Sequence, residues 1–250
     1  MSSSHDALVA DQYAPQAEAY VTSAVHASGP DLDQIAALAI PGARALDLGC
    51  GGGHVSYRLA RGGMAVTAYD LTPAMLAAVA HNAGEQGLAG LTTQQGTAEH
   101  MPFTDASFDL VASRYSAHHW RDAEAGLREA RRVLRPGGVA VFADSVSPGH
   151  APMDSFLQAV ELLRDPSHTR DYTAAEWAGM LTRTGFALTA VTPHRLRLEF
   201  TSWTQRMATP PLLADAIRAL QAKACDEVRQ HFAIEADGSF LLDTLVMVAQ

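Results

Sequence analysis

Between Ala43 and Asp144, short apolar runs alternate with stretches whose apolar residues recur every three or four positions. The runs are Ala43–Leu48, Met64–Tyr69, Leu91–Gln94, Phe108–Ala112 and Val139–Ala143. Runs this short, separated by helical periodicity, predict parallel strands covered by helices on both faces. Helix punctuation agrees. Thr72 stands as a cap before Pro73, with Ala74, Leu76, Ala77 and Val79 following and Gly84 and Gly87 closing the helix. Asp122 starts a second helix with Leu127, Ala130, Val133 and Leu134 on one face, which Pro136-Gly-Gly138 is expected to stop. Thr173-Ala-Ala-Glu176 reads as a capping box ahead of Trp177, Met180 and Leu181, and Gly185 ends that helix.

Three segments fall outside the alternation. Residues 7–39 read as helices with Tyr13, Ala17 and Tyr20 along one stripe. Residues 148–171 contain prolines and the charged stretch Arg164 to Arg170, in which Arg164, His168 and Arg170 read as a solvated loop, the default for clustered charge, with an anion-recognising wall as the alternative. Residues 187–250 start with the alternating run Arg195–Phe200, continue as a helical region with Trp203 and Met207, and end in an expected hairpin of His231–Glu235 and Phe240–Val248 turning at Asp237-Gly238.

Composition narrows the classes. With 250 residues, 48% of them apolar and 18% charged, the chain has material for one large core with additions. A formal charge of −9 disfavours a nucleic-acid partner. Two cysteines, Cys50 and Cys225, supply neither a disulfide framework nor metal-ligand spacing, so no metal is expected, and Cys50 reads as a small buried filler. The start Met1-Ser-Ser-Ser-His-Asp has no basic, apolar signal character, and no stretch approaches the ~20 apolar residues of a membrane span. A cytoplasmic protein, monomer or homodimer, is the expectation.

The chemistry concentrates in Leu46-Asp-Leu-Gly-Cys-Gly-Gly-Gly-His-Val55, which follows the first predicted strand and enters a helix. Glycines there let a ligand approach the backbone at the carboxyl edge of the sheet, where open α/β sheets bind small molecules. Asp47, two residues before Gly49, would repel a pyrophosphate and attract a cation. Asp70 ends the second strand, the place from which such folds hold ribose hydroxyls.

Taken in order, Asp47-Leu-Gly-Cys-Gly-Gly-Gly53, Asp70, Gly96-Thr-Ala-Glu-His-Met-Pro-Phe103, Phe108-Asp-Leu-Val111 and Val133-Leu-Arg-Pro-Gly-Gly138 resemble the class I S-adenosylmethionine-dependent methyltransferases. Within them the chain is similar to the type 11 branch, which contains the quinone-biosynthesis C-methyltransferases. The resemblance implies an α/β fold: a doubly wound, Rossmann-like seven-stranded sheet with an antiparallel last strand. It implies a helical N-terminal lid (1–42), a cofactor-binding core (43–145) and a substrate side (146–250) with a helical insertion after the sixth strand. S-adenosylmethionine is the implied cofactor. Gly49, Gly51 and Gly53 would line its methionine part, with Asp47 near the ammonium group. Asp70 would accept the ribose hydroxyls, Leu71 and Met75 would pack on adenine, and Ala98 would offer backbone to the adenine edge. The family often has Asp where this chain has Thr97, so a hydroxyl stands in for a carboxylate there. Ser113 and Arg114 would sit beside the methionine end.

Methyl transfer from a sulfonium is an in-line displacement that needs alignment, exclusion of water and, for a hydroxyl or N–H acceptor, removal of a proton. A neutral histidine suits that last task better than a lysine. Arg114-Tyr-Ser-Ala-His-His-Trp120 follows the fourth strand on the active edge, which makes His118 and His119 catalytic candidates, with only one of the adjacent pair needing to point inward. Tyr115, Asp144 and Ser145 end on the same edge and are candidates for substrate contact. Tyr13 and Tyr20, seven residues apart, could close the site and lay a ring face near the sulfonium; His26 is a weaker candidate. Trp203 and Met207 would roof an apolar pocket. The sequence thus reads as a methyltransferase for oxygen, nitrogen or carbon of a small aromatic or heteroaromatic metabolite. Quinone-ring C-methylation, a non-catalytic S-adenosylmethionine-binding regulator and, more remotely, aminopropyl transfer are the competing readings.

Overall fold

A computed structural model describes residues 4–21, 23 and 27–250; His26 lies outside them. In chain order the core elements are β1 (Arg44–Leu48), β2 (Ala65–Asp70), β3 (Leu91–Gln95), β4 (Phe108–Arg114), β5 (Leu134–Ser145), β6 (Leu188–Leu198) and β7 (Phe240–Ala249). They form one seven-stranded sheet in the order β3-β2-β1-β4-β5-β7-β6. The first five strands are parallel, and β7 runs antiparallel to both β5 and β6. The strand order reverses between β1 and β4, which opens a crevice at their carboxyl ends.

The helices follow the sequence punctuation. The N-terminal part comprises α1 (His5–Tyr13), a 3₁₀ turn at Ala14–Gln16, α2 (Ala17–Val21) and α3 (Pro30–Ala36). The sheet is flanked by α4 (His54–Arg61), α5 (Pro73–Glu85), α6 (Ala123–Val133), α7 (Ala151–Arg164) and α8 (Ala174–Arg183). Between β6 and β7 lie α9 (Phe200–Arg206), α10 (Pro211–Lys223) and α11 (Asp226–His231). Asp122 caps α6 through the Ala125 N–H, and Thr173 with Glu176 completes the capping box of α8.

Strand alternation divides the core. Leu46, Leu48, Val111 and Phe142 face α6 and α8, where Leu127, Ala130, Trp177 and Leu181 are buried. Ala45, Leu110, Ala112, Val141 and Ala143 face the other way, onto Leu32, Ile35, Val55 and Leu59. A third cluster, Leu157, Val160, Trp203, Ile217, Phe232 and Phe240, joins α7 to the β6–β7 insertion.

Two expectations need correction. The stretch His231–Glu235 is not a strand: α11 reaches His231, a turn follows, and β7 pairs with the eleven-residue β6 instead. The Asp237-Gly238 turn is real, with Ser239 N–H donating to Asp237, but it feeds a helix end into β7. The five-residue arm is simply outcompeted by a longer ladder. The helix α6 also stops earlier than Pro136, because Leu134 already pairs with Phe108 across the β4–β5 irregularity.

Candidate active site

At the β1 end the backbone turns sharply. Gly49 has φ 74°, and a Cβ there would drive into Ser116 Oγ. The N–H groups of Gly49 and Cys50 both donate to Tyr69 O, at 2.8 and 3.0 Å. Asp70, at the end of β2, accepts the Gly51 N–H at 2.9 Å through Oδ2 and the Thr72 N–H at 2.8 Å through Oδ1. Thr72 is the cap residue of α5, yet its own side chain makes no capping bond; Asp70 satisfies its backbone instead. Burial raises the Asp70 pKa against these bonds.

Asp47 is 1% exposed and its Oδ2 takes both the N–H and the hydroxyl of Ser56, at 2.9 and 2.6 Å. Burial pushes its carboxyl up to about 7. A buried acid on a cavity wall, so destabilised, fits the ammonium group of an amino-acid ligand, whose charge would offset the desolvation. Leu71, Met75, Thr97 and Ala98 line the cavity beside Asp70, an apolar slot next to a hydroxyl-accepting acid. The residues present therefore fit an adenosyl amino acid.

The cavity continues past the end of β4. Tyr115 adopts φ 51°, a strained backbone for a bulky residue, held by its N–H donating to Ala143 O at 2.8 Å. The Arg114 Nε donates to Asp31 Oδ2 at 2.6 Å, tying α3 to the sheet edge. His118 Nδ1 donates to Asp144 Oδ1 at 2.5 Å, and Asp144 Oδ2 accepts the Ala117 N–H at 2.9 Å. Burial opposes charge on this imidazole, but the Asp144 carboxylate outweighs it and holds the pKa up at about 9. His119 behaves oppositely. Burial, then the charge of His118, push it down to about 3. Its Nδ1 donates to Ser167 O at 3.1 Å, which leaves Nε2 to accept from the Tyr13 hydroxyl at 2.7 Å.

Both histidines line the cavity, so the expectation that one alone need point inward is exceeded. Tyr13 also lies 3.1 Å from Asp165 Oδ2, and its ring meets that of Tyr20 at 5.4 Å. The N-terminal segment is pressed onto the loop: His54 Nε2 donates to Tyr20 O at 2.9 Å, and a Cβ on Gly52 would collide with that same backbone. From the other side, the Tyr20 hydroxyl donates to Met207 Sδ and Gln12 Nε2 to Met207 O.

Asp47, Gly49, Gly51, Asp70, Leu71, Met75, Thr97, Ala98, Arg114, Tyr115, His118, His119, Tyr13, Tyr20 and Trp203 thus share one wall-to-wall cavity, and Cys50 joins them. Gly53, Ser113 and Asp144 do not line it. Gly53 sits against Tyr57 and Val79 in the helix packing, Ser113 is buried within β4, and Asp144 stands behind His118. The expected solvated loop is overturned: Arg164 and His168 are 9% and 7% exposed, Arg164 faces the cavity, and only Arg170 stays near the surface, beside Asp154 and Glu176. Gly52, His54, Glu99, Glu161 and Arg206 also line the cavity without having been singled out. Gly52, His54 and Glu99 lie in or directly after the quoted motifs, whereas nothing local in the sequence marks Glu161 or Arg206.

Comparison with known proteins places these features among relatives. Residues 46–142 match the methyltransferase domain family Methyltransf_11. The chain is 46% identical over 197 residues to the uncharacterised protein YafE of Escherichia coli K12, covering 79% of this chain and 95% of that one. It is 34% identical over 224 residues to the uncharacterised methyltransferase YcgJ of Bacillus subtilis, covering 89% and 88%. The crystal structure of YcgJ superposes with a TM-score of 0.83 at 31% identity over 88% of this chain and 97% of that one. A demethylmenaquinone methyltransferase of Beutenbergia cavernae is 37% identical over 115 residues, 46% of either chain.

Proposed function

The chain belongs to the class I S-adenosylmethionine-dependent methyltransferases, and on that premise we propose that it methylates an oxygen, nitrogen or carbon of a small aromatic or heteroaromatic metabolite. The observation that carries this reading is His118, held from behind by Asp144, on the wall of the same cavity that contains Asp70 and the glycine loop. Bound S-adenosylmethionine supplies an electrophilic methyl group on a sulfonium. Gly49, Gly51, Asp47, Asp70, Leu71, Met75, Thr97 and Ala98 are the residues to hold it.

The remaining work falls to side chains beyond the loop. His118 receives the acceptor's proton at Nε2, while Asp144 fixes the ring through Nδ1 and balances the imidazolium. Neutral His119 holds Tyr13, and Tyr13 with Tyr20 closes the cavity against water. Residues 1–42 act as the lid, 43–145 as the cofactor-binding core and 146–250 as the substrate side. Leu196, Leu198, Leu242 and Trp203 give a flat ring an apolar wall.

Two features favour a compact, partly polar acceptor over a ring bearing an isoprenoid tail. The lid touches both the glycine loop and the insertion, and buried charges stand at the far end. The test is transfer of label from methyl-labelled S-adenosylmethionine to a panel of hydroxy- and amino-substituted aromatic rings, beside a demethylated isoprenoid quinone. Labelled product from the compact rings supports the reading. Product from the quinone alone replaces it with quinone methylation, and cofactor binding without any product replaces it with a regulator.

A further inference from the structure

The end of the cavity farthest from the glycine loop carries two arginines. Arg164 is the last residue of α7 and Arg206 the last of α9, and both line the wall. Arg164 Nε donates to Trp203 O at 3.1 Å, one terminal nitrogen lies 3.5 Å from Glu161 Oε2, and the guanidinium sits 5.1 Å above the Trp203 ring. Among the described residues the other terminal nitrogen of Arg164 has no assigned acceptor. Burial, then the charge of Arg164, lower the pKa of Arg206, so the two cations feel each other across the wall.

Like charges brought together out of water are costly, and two helix C-termini offset only part of that cost. Burial works against the Arg164 charge, but the neighbouring Tyr20, Glu161, Tyr13 and Asp165 outweigh it and raise its pKa, so the cost is offset at Arg164 and stands at Arg206, whose pKa is lowered. Glu161 is the carboxyl lining this end, and burial raises its pKa toward the neutral acid. Asp165 accepts the Ser167 N–H and hydroxyl, with the Tyr13 oxygen 3.1 Å from its Oδ2. A sulfonium cofactor gains nothing from a pair of cations, so the complement of this wall is an anion. A guanidinium fork matches a carboxylate with two parallel bonds.

Resting on the methyltransferase reading above, we infer that Arg164 and Arg206 form a subsite for a carboxylate of the methyl acceptor, which makes the substrate an aromatic acid. Its ring lies along Leu196, Leu198 and Leu242, with the carboxylate between the guanidiniums and the reacting atom toward His118.

The experiment is calorimetric titration of the protein saturated with S-adenosylhomocysteine. The probes are 4-hydroxybenzoate, salicylate, anthranilate and indole-3-carboxylate, each beside its matched carboxamide. At least one acid should bind about tenfold or more tighter than its amide, the worth of one charge-assisted contact. Arg164→Gln and Arg206→Gln should each erase that preference, Arg164→Lys should keep part of it, and S-adenosylhomocysteine affinity should stay within about twofold in all three. Acids and amides binding alike across the panel, or a preference surviving both glutamine variants, overturns the subsite. If Arg164→Gln lacks a cooperative melt, Arg206→Gln decides. Failure of S-adenosylhomocysteine itself to bind would sink the methyltransferase reading instead, so the two failures are distinct.

Discussion

The two halves of the cavity are made of different materials. Toward β1 and β2 the wall is backbone: glycine turns, amide N–H groups on Asp70, and a few apolar side chains. Toward α7 and α9 it is side chain, with His118, Glu161, Arg164 and Arg206 drawn from segments far apart in the chain. A cofactor shared by many enzymes can be held by backbone that barely depends on side-chain identity. An acceptor peculiar to one enzyme has to be held by side chains, at the cost of burying charge.

That contrast can be broken from either side. Removing residues 1–28 takes away Tyr13 and Tyr20 together, and turnover should fall by about a thousandfold or more while a cooperative melt persists, since closure completes the substrate half. A truncated chain with full activity would show that the lid contributes nothing.

Changing His118→Gln should lower kcat about a hundredfold, in the range for loss of a proton acceptor. The wild-type rate should rise with pH toward an inflexion at or below about 9, because a nearby cation can only lower a pKa that Asp144 sets at about 9. The variant should lack the inflexion and keep its affinity for S-adenosylhomocysteine. A variant retaining wild-type kcat and pH profile removes His118 from the chemistry.

A smaller effect is expected from Tyr13→Phe, which deletes only the hydroxyl shared by His119 and Asp165. The loss of about 1–1.5 kcal/mol should raise the acceptor KM about tenfold, with cofactor affinity unchanged. Equal loss on both ligands would erase the division between the halves.

Smallest is Asp47→Asn, read by melting the ligand-free protein. Folding raises this carboxyl to about 7, so the folded state binds its proton more tightly. Its stabilising contribution is greatest in acid and is lost as pH climbs from about 4 to about 7. Asparagine can still accept from Ser56 but does not titrate, so the melting temperature should drop less between about pH 5 and pH 8 than in the wild type. Parallel slopes would mean that Asp47 is not strained by burial.

The same division explains what could be read in advance. Strand runs, the Asp122 cap and the Thr173–Glu176 box are local patterns, and the structure follows them. Asp70 at a strand end and the glycines after β1 are local too, and they meet in one cavity. Gly53 and Ser113 carry the right motif positions but are consumed by packing, which spacing cannot reveal. Arg164 looked like a surface charge because it opens the polar run Asp165–Arg170; Trp203 and Glu161, which bury it, come from α9 and one turn back along α7. The mistaken hairpin has the same origin, since the true partner of β7 lies some forty residues earlier in β6.

The most direct test of the whole account is calorimetric titration of S-adenosylhomocysteine into the wild type and Asp70→Ala. Saturable one-site binding that weakens about a hundredfold in the variant is predicted, from losing a charged acceptor worth roughly 3 kcal/mol. Absent binding by the wild type, or equal affinity in both proteins, would contradict it.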